Sequence, residues 1–250
     1  MGNTIKAVLA LGPSLARLAR GAVAIGNRGV PTKTLELYDC ENNQDCRPVR
    51  EALTVLDLEV MVYPVPENGT RFRQRLTAFS GSDNIPFLHD PNSDARLQGT
   101  DAIVDYLFSQ YAPEGSKAPR KLIPLACVAG ALRRNRGRLA RPSKAAEQPL
   151  ELYSFEASPY ARLVREMLCE LEIPYLLHNV GKSPGKMVEY LPPIMREKKV
   201  KDYQPETENR RKLVERGGHM MVPYLVDPNT ETSMYQSADI LAYLEENYRA

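Results

Sequence analysis

Apolar and polar positions alternate, then switch to helical spacing, in an order that the chain runs through twice. Leu35–Tyr38 and Leu150–Tyr153 alternate and are bounded by turn formers, which predicts two short strands. A loop follows each, Asn42-Asn43 in one place and Ala157-Ser158-Pro159 in the other. Ser158 before Pro159 reads as a helix N-cap with proline at the first helical position. Val164, Leu168 and Leu171 then recur at helical spacing. Pro174 ends that helix, and Tyr175–His178 predicts the next strand, a part played earlier by Val60–Tyr63. A further helix precedes Pro86–Asn92 and Pro223–Asn229, each a strand entering an Asp-Pro-Asn turn. Ala95–Gln98 and Thr232–Tyr235 predict a second short strand. Closing helices run to Tyr111 and Tyr248, with Thr100 and Ser237 as expected N-caps.

The recurrence is visible residue by residue. Leu35–Glu51 and Leu150–Glu166 agree at 9 of 17 positions with an offset of 115. Leu53, Leu56 and Leu58 then correspond to Leu168, Leu171 and Ile173. Pro86–Asn92 and Pro223–Asn229 agree at 5 of 7 positions with an offset of 137. Ile103–Leu107 and Ile240–Leu244 keep that offset. Its growth from 115 to 137 places a 22-residue insertion between Tyr175 and His219. Such ordered self-similarity marks a duplicated unit. Ahead of each copy lies an apolar stretch ending in arginine, Lys6 to Arg20 and Lys121 to Arg141, read as a basic amphipathic helix. The first stretch sits in an acid-free, arginine-containing segment, Met1–Val30, that has the look of a transit peptide. Its counterpart ahead of the second copy favours a place in the fold.

Bulk composition changes this picture little. Of 250 residues, 43% are apolar and 26% charged, with a net charge of +2, so nothing demands nucleic acid or an acidic partner. No apolar run is long enough to span a membrane. The four cysteines, Cys40, Cys46, Cys127 and Cys169, form no metal-ligand spacing, and no metal is expected. Their scatter suits a reducing compartment. Arg133, Arg134, Arg136, Arg138 and Arg141 crowd into nine residues; without interleaved aromatics they read as a solvated linker, with weak membrane-surface contact as the alternative.

The strand-helix-strand unit with an edge hairpin is the thioredoxin arrangement. Three stretches of copy two, Leu152–Tyr175, Val222–Pro228 and Gln236–Tyr248, resemble the N-terminal domain of glutathione transferases, close to glutaredoxins. Copy one matches in the same places with more drift. The resemblance implies an α/β chain of two tandem thioredoxin-like domains (βαβ-α-ββα), each preceded by a basic amphipathic helix. Residues 1–34 form the amphipathic helix and lead-in, 35–112 the first domain, 113–149 a linker with a basic helix, and 150–250 the second domain with its insertion near 180–216.

The resemblance also implies chemistry. Ser158-Pro159-Tyr160-Ala161 stands where glutaredoxins carry Cys-Pro-Tyr-Cys. Ser158 is then at the position whose hydroxyl donates to the glutathione sulfur, Tyr160 lines the site, and Ala161 replaces the resolving thiol. A thiolate there also gains from a helix N-terminus. The plain alternative is that Ser158 only caps the helix. Val222-Pro223 resembles the family's cis-proline, whose preceding residue holds the cysteinyl backbone; Ile85-Pro86 matches it in copy one. Gln236 and Ser237 correspond to the residues that hold the γ-glutamate, with glutamine where the family usually has glutamate. Copy one has Gly99-Thr100 there, and Asn43-Gln44-Asp45-Cys46 at the reactive loop, so its site is degenerate. Arg210, Arg211, Lys212 and His219 are candidate carboxylate partners within or beside the insertion, which is expected to add a helix and loop near Ser158.

The expected function is a glutathione-binding, transferase-like protein acting on a small electrophile or disulfide. It would lie in the cytoplasm (alternatively a plastid), with a homodimer possible and glutathione as its cofactor. The rivals are a non-catalytic binding scaffold, and a redox sensor using Cys40 and Cys46, with the Cys46 pKa lowered by its helix N-terminus.

Overall fold

The computed structural model describes residues 21–118, 136–190 and 203–250. Both expected basic helices fall largely outside these residues, as do Cys127, Arg133 and Arg134. The order of elements repeats. The first half runs β1 (Leu35–Asp39), α1 (Arg47–Val55), β2 (Glu59–Pro64), α2 (Arg73–Ser80), β3 (Phe87–Asp90), β4 (Ala95–Gln98) and α3 (Thr100–Tyr111). The second runs β5 (Leu150–Ser154), α4 (Pro159–Glu170), β6 (Tyr175–Asn179), a 3-10 turn (Met187–Tyr190), α5 (Glu208–Gly217), β7 (Tyr224–Asp227), β8 (Thr232–Tyr235) and α6 (Ser237–Tyr248).

Within each half the first two strands are parallel, joined through a helix, and the last two form an antiparallel hairpin beside the first strand. The halves meet edge to edge. β2 pairs antiparallel with β6, from Glu59 opposite His178 to Val62 opposite Tyr175, giving one sheet in the order β4-β3-β1-β2-β6-β5-β7-β8. That pairing covers two strand edges that would otherwise present open backbone. Leu35, Leu37, Leu53, Ile103 and Leu107 of one half and Leu152, Val164, Leu168, Ile240 and Leu244 of the other belong to one continuous apolar core.

The lead-in of each half crosses to the other. Gly21 accepts the Ala157 N–H at 3.2 Å, and Gly137 accepts the Asn42 N–H at 3.1 Å. Val23 bridges to Lys182, and Leu139 bridges to Glu67. These pairs are equivalent under an approximate twofold relation, since 42 and 157, like 67 and 182, differ by 115.

Three expectations are corrected. Thr100 and Ser237 are the first helical residues rather than N-caps; Gly99 (φ 88°) and Gln236 (φ 69°) precede them in left-handed conformations that turn the chain from edge strand into helix. The helix near the insertion is not an addition. α2 and α5 both end at a left-handed glycine, Gly81 and Gly218, exactly in the 137 register. The extra residues therefore lie upstream of α5, between Lys182 and Glu208. Finally, three of the linker arginines are not simply solvated: Arg138 pairs with Glu67 at 2.8 Å, Arg141 with Glu245 at 2.7 Å, and Arg136 lies 3.8 Å from Glu170.

Candidate functional site

Strand directions bring the expected residues of the second half to one end of the sheet. β7 is antiparallel to β5, and β8 is antiparallel to β7, so β5 and β8 run the same way. Their C-terminal ends, which feed α4 and α6, lie together with the start of β7. Ser158, the Val222-Pro223 peptide and Ser237 occupy those three places.

Ser158 is the N-cap of α4, with extended backbone (φ −70°, ψ 116°). Its Oγ accepts the Ala161 N–H at 3.3 Å, and its own N–H donates to Phe155 O at 3.0 Å. Only 3% of the residue is exposed. Pro159 starts the helix without sacrificing a hydrogen bond. Tyr160, by contrast, is exposed. Val222-Pro223 is cis, as is Ile85-Pro86. Among the described residues none hydrogen-bonds the Val222 backbone N–H. Gln236 is exposed and Ser237 buried in the first turn of α6.

The first half repeats the scaffold without the same groups. Asn43 Oδ1 accepts the N–H groups of Asp45 and Cys46 at 2.8 and 3.2 Å, the second corresponding to the Ser158–Ala161 bond, although α1 begins only at Arg47. Thr100 Oγ1 donates to Asp45 O at 2.7 Å, so the start of the closing helix touches the loop.

Residues 37–115 and 152–250 each match the family described as glutathione S-transferase, N-terminal domain. The chain belongs to this family. No curated protein and no solved structure matches it.

Around the transferase-type loops lies a feature that the sequence motifs did not reveal. Arg50 contacts Asp39 at 2.7 Å and Glu156 at 3.0 Å, while Arg165 contacts Glu41 and Glu156, both at 3.0 Å. Arg165 also donates to Ser154 Oγ at 2.8 Å. All are buried. Burial works against the Glu156 carboxylate, but the Arg165, Arg50 and Arg47 guanidiniums outweigh it and hold its pKa low. The signal was in the repeat: Glu41, Arg47, Arg50 and Glu51 are identical to Glu156, Arg162, Arg165 and Glu166, whereas positions 42–46 and 157–161 all differ.

The insertion also reaches the loop. The Lys182 ammonium lies 4.2 Å from the Tyr190 ring centroid and 5.8 Å from that of Phe155, three residues before Ser158. Met187 and Tyr190 fall on one side of the 3-10 turn and are exposed. The basic candidates do other work. Arg210 donates to the carbonyls of Val180 and Gly181 at 3.0 and 2.8 Å, Lys212 pairs with Glu59 at 3.0 Å, and Arg211 donates to Glu206 O at 2.7 Å. The His219 ring meets Tyr235 edge-on.

The cysteines depart from expectation. Cys46 is fully buried, and burial pushes its thiol pKa up rather than down, with Asp39 adding to the rise. Cys40 also meets a thiol of the other half, Cys169, with sulfurs 4.0 Å apart, while Cys46 interacts with Cys40 through its backbone and its thiol.

Proposed function

We propose that the second half binds glutathione and that Ser158 activates its thiol for conjugation or thiol transfer. Gln236 carries the reading. It holds a side chain at φ 69°, where the first half uses Gly99 at φ 88°. A left-handed conformation costs a residue with a Cβ about 1–2 kcal/mol. A glutamine kept at that cost suits a ligand contact, and its side-chain oxygen suits the ammonium of a γ-glutamyl group. The buried Ser237 at the start of α6 suits the adjoining carboxylate, because a helix N-terminus favours anions. The Val222 backbone suits the cysteinyl part, and the exposed Tyr160 the edge of the ligand. In its cap bond Ser158 Oγ is the acceptor, which leaves its O–H proton for the sulfur.

Calorimetric titration with glutathione tests this. Binding should persist in Ser158→Ala, while turnover with an aromatic halide electrophile is lost. Absence of binding at millimolar glutathione overturns the reading.

A second reading, a non-catalytic scaffold, is favoured by the near-complete burial of Ser158 and by Asn43, which accepts the corresponding N–H in the first half. On that reading Ser158→Ala removes only a helix cap, about 1 kcal/mol of stability.

A further inference from the structure

Cys40 follows β1 of the first half, and Cys169 stands on α4 of the second. They are 129 residues apart in sequence and 4.0 Å apart at sulfur. Both are 3% exposed. The twofold relation explains the approach. Cys169 takes the place of Thr54 in the other half, and Thr54 Oγ1 accepts the Glu156 N–H at 3.3 Å, directly after Phe155, the counterpart of Cys40. A side chain at this helix position therefore always meets the segment leaving the opposite half's first strand. Only here are both partners thiols.

We infer that Cys40 and Cys169 form a disulfide that cross-links the two halves when the protein meets a peroxide. A disulfide needs its sulfurs about 2.05 Å apart. Closing the remaining distance requires the side chains to rotate and Cys40 to release the Gly137 carbonyl, which its sulfur contacts at 3.3 Å. One thiol loses its proton, against the rise that the neighbouring Cys40 side chain and burial impose on Cys169, and attacks a peroxide oxygen; the O–O bond breaks, a sulfenic acid forms and one water leaves. The second thiol attacks that sulfur; the S–S bond forms, the S–O bond breaks and a second water leaves. Two thiols lose two electrons and one hydrogen peroxide becomes two waters. The step needs nothing from Ser158 and is independent of glutathione binding.

The test uses the full chain treated with hydrogen peroxide, alkylated, unfolded, digested and mapped by mass spectrometry. Sulfoxide at the exposed Met187 reports that the oxidant dose sufficed. The expected product is a Cys40–Cys169 linked peptide that persists in Cys46→Ser, disappears in Cys169→Ser and reverts with dithiothreitol. The oxidised wild type should also unfold at a temperature several degrees above the reduced form. Recovery of Cys40 and Cys169 as free thiols while Met187 is oxidised overturns the inference. So does a Cys40 linkage to Cys46 or Cys127. The wild-type peptide map decides the matter even if Cys169→Ser folds poorly.

Discussion

Arg50 donates to Glu156 across the seam between the halves at 3.0 Å, and both side chains are buried. Its twofold mate, Arg165, returns the contact to Glu41 at 3.0 Å. Removing one partner of such a cluster leaves the other charges buried and uncompensated. Arg50→Ala and Arg165→Ala should each cost about 3–5 kcal/mol. Lys186→Ala, which breaks an exposed pair with Glu206, should leave stability nearly unchanged. Urea denaturation curves compare them, and equal small losses would refute the importance assigned to the cluster.

Gly21 and Gly137 lie where each lead-in crosses to the opposite loop. A Cβ on Gly21 (φ 74°) would stand 2.8 Å from Glu156 Cβ, and one on Gly137 (φ 69°) 3.1 Å from Glu166 Cα. Gly21→Ala and Gly137→Ala combine backbone strain with overpacking and should cost about 2–4 kcal/mol each. Gly185 (φ 72°) has nothing within 4 Å, so Gly185→Ala isolates the backbone part, about 1–2 kcal/mol. Thermal unfolding of the three variants should separate the first two from the third.

His178 ties the seam on the other face. Its ring nitrogens meet Glu59 at 2.9 Å and Glu151 at 3.0 Å. Burial lowers its pKa, but the two carboxylates outweigh that and raise it above 6.5. A raised histidine pKa gives stability that is complete below 6.5 and lost as pH rises through the folded value. Asp57 acts in the same direction: burial lifts it from 3.8 to about 7, so its contribution fades as pH climbs between those values. Glu59, drawn to about 2 mainly by its hydrogen bond to His178, opposes them in acid, losing its contribution as pH falls from 4.5 toward 2. Melting temperatures of wild type and His178→Gln should converge as pH is raised through the folded-state pKa of His178, above 6.5. A constant gap would refute the assignment.

Gln236→Gly relieves the left-handed strain at φ 69° and should stabilise the chain by about 1 kcal/mol. On the proposed function, the same change weakens glutathione binding. Denaturation and calorimetry on one preparation check both. A stabilised variant with unchanged affinity would remove Gln236 from the site.

Local chemistry made much of the architecture legible. Ala95–Gln98 and Thr232–Tyr235 form strands with the expected bounds, because alternation between turn formers reports directly on a half-buried edge strand. The first strands extend one residue further, to Asp39 and Ser154, since those polar side chains are drawn inward by Arg50 and Arg165. Thr100 and Ser237 stand one residue inside their helices, after the N-caps Gly99 and Gln236. A hydroxyl advertises a cap, but a left-handed glycine or glutamine before it is read only from the path of the chain.

By itself the sequence determined two copies of one α/β unit and the family to which they belong. Periodicity, turn residues and short motifs act over a few neighbours, so they survive in a linear reading. Only the tertiary structure decided that β2 and β6 join the copies into one sheet, that each lead-in packs on the opposite loop, and that Cys169 of the second half comes within 4.0 Å of Cys40. Those contacts link residues roughly a hundred positions apart through a twofold relation. The identities at Glu41 and Glu156, or Arg50 and Arg165, record it in the sequence without naming the partner.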